Sequence, residues 1–160
     1  MFQKALGIYV KEFGPDNRFL ATVLINQAHA FDQQGKYKEA DQALRKALAI
    51  NEKWRGANHP EVARVLNELA ALHLDRDSAT ALQFSRKATA AVLSHASFGE
   101  GSNLRRSGER GGLIEQRSDY FVNQVASLAA VSRNKPSAGV SAEAFETAQW
   151  ATQSAAAAAI

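Results

Sequence analysis

The sequence predicts an all-α fold of stacked helical hairpins, and three observations carry that prediction. Short motifs recur at a fixed offset of 42 residues. Within each recurrence, apolar residues return every three or four positions, the period of one helix face. The chain is rich in alanine and has only three prolines, a balance that favours closely packed helices.

The offset is read from pairs. Ala5-Leu6-Gly7-Ile8 recurs as Ala47-Leu48-Ala49-Ile50, and Gly14 recurs as Gly56. Ala21, Val23, Leu24 and Ala28 recur as Ala63, Val65, Leu66 and Ala70. Ala40 and Ala47 match Ala81 and Ala88 at an offset of 41, so the second unit is one residue shorter at its turn near Asp77. Self-similarity of this period is the signature of a repeat architecture.

Each unit reads as two helices. The first spans about Asn17 to Gln34, with Leu20, Val23, Leu24, Gln27, Ala28 and Phe31 on one face. Gly35 ends it, since glycine adopts the left-handed conformation that closes a helix. The next helix spans about Tyr37 to Lys53, with Tyr37, Ala40, Leu44, Ala47, Leu48 and Ile50 inward. Small residues at Ala28, Ala40 and Ala47 let the two backbones approach. In the second unit Asn58 or His59 caps a helix whose first turn holds Pro60, which has no amide hydrogen to leave unpaired. Val62, Val65, Leu66, Leu69, Ala70 and His73 follow at helical spacing. Ser78 or Asp77 then caps a helix through Leu82, Phe84, Ser85, Ala88 and Val92.

After His95 the register disappears. Residues 97–112 are rich in glycine, serine and charge, which reads as a linker. Helical spacing returns from Leu113 to Val131 through Arg117, Tyr120, Phe121, Gln124, Val125 and Leu128. Residues 134–141 break it, and a last helix runs from Ala142 through Phe145, Ala148, Gln149 and Ala155. The predicted organisation is repeats over 1–95 (a half repeat 1–13, then 17–53 and 59–95), a flexible linker 96–112, and a helical extension or cap over 113–160.

Composition narrows the function. With no cysteine, disulfides, zinc-thiolate sites and a cysteine nucleophile are excluded within this chain. A net charge of +3 is mild for a nucleic-acid binder. Arg105, Arg106, Arg110 and Arg117 form a basic cluster, but Glu109 and Glu115 dilute it and no aromatics interleave it. No apolar run reaches the length of a membrane span, and the charged start is unlike a secretory signal, so a cytoplasmic protein is expected. His29, His59, His73 and His95 stand too far apart for a metal motif. Gly108 to Gly112 lacks the ending of a phosphate loop, and no nucleophile elbow is present. No cofactor, metal or catalytic residue is expected, and the chain is not read as an enzyme.

Gly35-Lys-Tyr37-Lys-Glu-Ala40-Asp-Gln-Ala-Leu44-Arg-Lys-Ala47-Leu48-Ala-Ile50 resembles the second half of a tetratricopeptide repeat (TPR). Gly56-Ala-Asn-His59-Pro60-Glu-Val62-Ala63-Arg-Val-Leu66-Asn67-Glu-Leu69-Ala70 resembles the long variant found in kinesin light chains and many bacterial proteins. The likeness covers roughly residues 1–95 and departs from the family at Asn17-Arg18, Gln27 and Asp77. It implies an α-solenoid scaffold whose first helices line a concave groove for a partner protein or peptide. The groove positions it implies are Thr22, Ile25, His29, Asp32 and Gln33 in the first unit, and Arg64, Asn67 and Ala71 in the second. The paired lysines and asparagines of a carboxylate clamp are missing there.

Residues 1–13 match only a second helix, so the native chain is expected to be longer or to pair with another chain at this end. Glu143-Ala144-Phe145-Glu146-Thr147-Ala148-Gln149-Trp150-Ala151 resembles the helical segment between TPR arrays and the CHAT domain, a caspase-like peptidase module of bacterial proteins. That likeness implies an alternative, a non-catalytic arm that recognises a substrate or activator. A third reading is self-association, in which a homodimer completes the packing of the first and last helices.

Overall fold

The computed structural model describes Gly14 and residues 17–99, 110–134 and 136–158. They form six helices: α1 (Arg18–Gln33), α2 (Tyr37–Arg55), α3 (Pro60–His73), α4 (Ser78–Gly99), α5 (Arg110–Asn134) and α6 (Ala138–Ala158). No strand occurs among the described residues. The half repeat expected over 1–13 lies outside the described residues, as does the stretch 100–109, with Arg105 and Arg106, of the linker expected over 96–112; the ends of that linker, 96–99 and 110–112, are helical. Either side of that gap, α4 continues to Gly99 and α5 starts at Arg110, so both helices are longer than their apolar spacing predicts.

The helices pack as three successive hairpins, α1 with α2, α3 with α4, and α5 with α6. The hairpins stack in series: α2 lies on α3, α4 on α5, and α5 also meets α3. The carboxy-terminal pair, which shares no register with the repeats in sequence, therefore packs as the first two hairpins do.

Local chemistry sets the helix ends. The Asn17 side chain accepts the Phe19 amide at 2.9 Å and starts α1. Gly35, at φ 70°, closes it. The Lys36 amide donates to the Phe31 carbonyl at 2.9 Å and the Gly35 amide to that of Asp32 at 2.8 Å, the Schellman pattern that satisfies the last carbonyls. Gly56 ends α2 at φ 84° and ψ 156°, a region open only to glycine. Gly14, one repeat earlier, has φ 82°, so the sequence offset is also an offset in backbone conformation. His59 is the cap of α3, its Nδ1 accepting the Glu61 amide at 3.1 Å, with Pro60 in the first turn. The shorter second turn has no glycine. There Asp77 is the cap, accepting from the Thr80 amide at 3.1 Å and the Thr80 hydroxyl at 2.6 Å. Those Thr80 hydrogen bonds hold the Asp77 carboxyl below the usual carboxylate range.

Ala28, Ala40 and Ala47 are buried where α1 and α2 meet, as their size predicts. The apolar cluster around them includes Leu20, Leu24 and Leu44, and it draws in Val65, Leu69 and Leu72 from α3. The core thus crosses the hairpin boundary, as a stacked array requires. Tyr37, predicted to point inward, is instead exposed, with the Arg76 guanidinium 3.2 Å over its ring centre. The tyrosine joins the first hairpin to the turn after α3 rather than filling the core.

The second and third hairpins meet through Tyr120, which packs against the apolar clusters around Leu66 and Val92, and through polar side chains. Thr89 donates its hydroxyl to Gln124 Oε1 at 2.6 Å, and Gln124 Nε2 donates to Glu143 Oε1 at 3.0 Å. Arg86 donates Nε to the same Glu143 oxygen at 2.7 Å and a terminal nitrogen to the other. Asn123 donates to Asn67 at 3.0 Å. Among the described residues no buried side-chain nitrogen or oxygen lacks a partner, so this junction meets the requirement for burying polar groups. Beside it Trp150 of α6 stacks on buried Phe121 of α5, ring centres 6.3 Å apart.

Candidate functional site

α1 and α3 are the first helices of their hairpins, and a cleft of about 350 Å³ opens between them. Ala28, His29 and Asp32 come from α1, and Glu68, Ala71 and Leu72 from α3. Tyr37, Ala40 and Leu44 of α2 and the turn residues Asp75 and Arg76 complete the lining. Helical spacing explains the set. Ala28 and Asp32 stand one turn apart on α1, as do Glu68 and Leu72 on α3, so each helix offers one narrow stripe.

Across the cleft, His29 Nε2 lies 3.0 Å from Glu68 Oε2. The Arg76 guanidinium packs on Tyr37 and donates to the Leu72 carbonyl at 2.8 Å. A second ionic contact couples α2 to α3, with His73 Nε2 2.8 Å from Asp41 Oδ1 and Arg45 Nε 2.6 Å from Asp41 Oδ2. Burial raises the Asp41 carboxyl, but the hydrogen bonds from Arg45 and His73 outweigh it and leave the group below its ordinary range. The Arg45 guanidinium also sits 5.3 Å from the centre of the Phe84 ring, tying α2 to α4.

Of the expected groove residues, His29, Asp32 and Ala71 line the cleft. Thr22 and Gln33 are exposed on α1 but outside its lining. Arg64 is half-buried and pairs with Glu61 at 2.9 Å. Asn67 accepts a hydrogen bond from Asn123, so its amide serves the hairpin junction. Ile25 is a correction. It is 2% exposed and belongs to the first apolar cluster. α1 buries Ala21 and Ile25 as well as Leu20 and Leu24, so its inward arc is wider than one apolar stripe.

Sequence reasoning missed Glu68, Tyr37, Asp75 and Arg76. Glu68 was within reach, because it lies one helical turn from both Arg64 and Ala71. Asp75 and Arg76 reach the cleft from a turn, where periodicity gives no signal. Among the described residues, no three histidine or acidic side chains are placed to hold a metal ion. No helix there is long and apolar enough to cross a membrane.

A series of helical hairpins with a polar cleft between first helices defines a repeat-array protein. The tetratricopeptide repeat family model matches residues 1–53, so that stretch carries the tetratricopeptide repeat pattern. No curated protein matches the chain. Among solved structures, BtubC (BKLC) from P. vanneervenii has a similar fold, with a TM-score of 0.73 at 22% identity over 98% of this chain. The chain spans 54% of that protein's length. Tetratricopeptide repeats generally mediate protein–protein interaction, and folds of this type are typically non-catalytic.

Proposed function

We propose that the chain is an interaction scaffold that holds a peptide, or a segment of a partner protein, against the face built by α1 and α3. The observation that carries this reading is the cleft between those helices. Its floor of alanine and leucine is backed by the core, and its rim carries polar and charged groups. A rigid floor with a polar rim suits an extended or helical segment that inserts one side chain and hydrogen-bonds around it. No chemical step is involved.

The test is selection of random peptides displayed on phage against the immobilised protein, with two variants as filters. Ala71→Trp fills the cleft from an exposed position, whereas Gln42→Trp adds the same bulk to an exposed position on α2 outside the cleft. Selected peptides should bind Ala71→Trp about tenfold or more weakly and Gln42→Trp as well as the parent, a difference of about 1.4 kcal/mol or more. Equal binding to both variants, with helicity unchanged, would refute the reading.

A further inference from the structure

We infer that the segment held in the cleft between α1 and α3 presents a basic side chain, lysine or arginine, to Asp32, Glu68 and Asp75. This rests on the proposed use of that cleft and adds the chemistry of its occupant. The chain as a whole is positive, at +3, yet its cleft carries three carboxylates against a single guanidinium. The local sign is opposite to that of the molecule, which gives a cationic ligand both attraction and a defined place to arrive.

The one guanidinium does not neutralise the carboxylates. Arg76 spends its contacts on neutral groups, the face of Tyr37 and the Leu72 carbonyl. Glu68 is paired with His29 alone, and the Asp32 and Asp75 side chains have no hydrogen-bond or ion-pair partner among the described residues. One wall of this cleft already holds a guanidinium, that of Arg76, on an aromatic face beside a carbonyl. The apolar floor, including Ala40 and Leu44, suits the methylene stem of a long basic side chain whose charged end stays at the rim. An acidic or phosphorylated segment would instead meet like charge.

The experiment uses nonapeptide pools, degenerate except for a central residue fixed as lysine, arginine, alanine or glutamate, with binding read by fluorescence anisotropy. Lysine- and arginine-centred pools should bind about tenfold tighter than the alanine pool, with the preference shrinking as salt rises. The double variant Asp32→Asn, Asp75→Asn keeps side-chain shape at two exposed positions. It should lose most of that preference while retaining its helicity and its binding of the alanine pool. Glu68→Lys leaves two carboxylates against two cations and should abolish the preference for the basic pools. If the glutamate or alanine pool binds the parent as tightly as the basic pools, the inference of a cationic occupant is overturned and the cleft reading stands. If no pool binds, or Ala71→Trp leaves binding of every pool unchanged, the cleft reading itself fails.

Discussion

Replacing Gln124 by leucine tests whether polar contacts hold the third hairpin on the second. Gln124 is 7% exposed, accepts from Thr89 and donates to Glu143. Leucine removes both hydrogen bonds at similar volume. Neither partner is orphaned, because the Thr89 hydroxyl also reaches the Ser85 and Arg86 carbonyls and Glu143 keeps Arg86. The cost is therefore the net worth of two hydrogen bonds, about 1–2 kcal/mol, without the larger penalty of a stranded polar group. The two tryptophans give a local assay, since Trp54 is on α2 and Trp150 on α6. In a Trp54→Phe background, fluorescence follows Trp150 on Phe121 alone. With a urea dependence of about 2 kcal/mol per molar, the Trp150 transition should move down by about 0.5–1 M. In a Trp150→Phe background, the Trp54 transition should move less. A Trp150 midpoint within about 0.2 M of the parent, at equal helicity, would refute the coupling role.

Three further outcomes follow from the same geometry. The hydrogen bond from Arg86 holds the Glu143 carboxyl below its ordinary value of 4.5. A carboxyl depressed by folding contributes its stability in full above the unfolded value and loses it as pH falls through the folded one. Parent and Glu143→Gln melting temperatures should therefore differ at neutral pH and converge as pH falls below about 4.5, and parallel curves would contradict this. Gly56→Ala should cost about 1–3 kcal/mol in urea unfolding, from backbone conformation alone, because nothing lies within 4 Å of the added carbon. Leu69→Ala should cost about 2–5 kcal/mol, since Leu69 is fully buried in a cluster shared with α1 and α2; a loss under 1 kcal/mol by the same measurement, within the error expected of a surface site, would deny that shared core.

The first four helices were legible because the two repeats share most of their devices at the same positions. Small residues at Ala28, Ala40 and Ala47 mark close backbone approach, and Gly35 and Gly56 mark turns that other residues resist. Ile25 was misplaced because one apolar stripe describes a helix buried on one side, whereas α1 buries a wider arc. The stacking of α5 and α6 was expected only as an extension or cap, and the residues of its junction were illegible for a different reason. Their junction relies on Asn67, Thr89, Gln124 and Glu143, residue types that read as surface when each is taken alone. Glu143 in particular has its carboxylate holding Arg86 and Gln124. Of the cleft, His29, Asp32 and Ala71 were visible on α1 and α3, whereas Glu68 was not, and Tyr37, Asp75 and Arg76 enter from a helix start and a turn, where side-chain direction depends on tertiary packing.

The unequal junctions give the molecule a direction under load. A pull on the carboxy-terminal end meets first a joint of short-range, directional bonds, which yield over a small extension and are readily exchanged for water. The joint between the first two hairpins adds to its own ionic contacts a continuous apolar interior whose resistance grows with the area uncovered. Tension applied from that end would load the junction of α5 with α4 and α3 before it reached the cleft between α1 and α3.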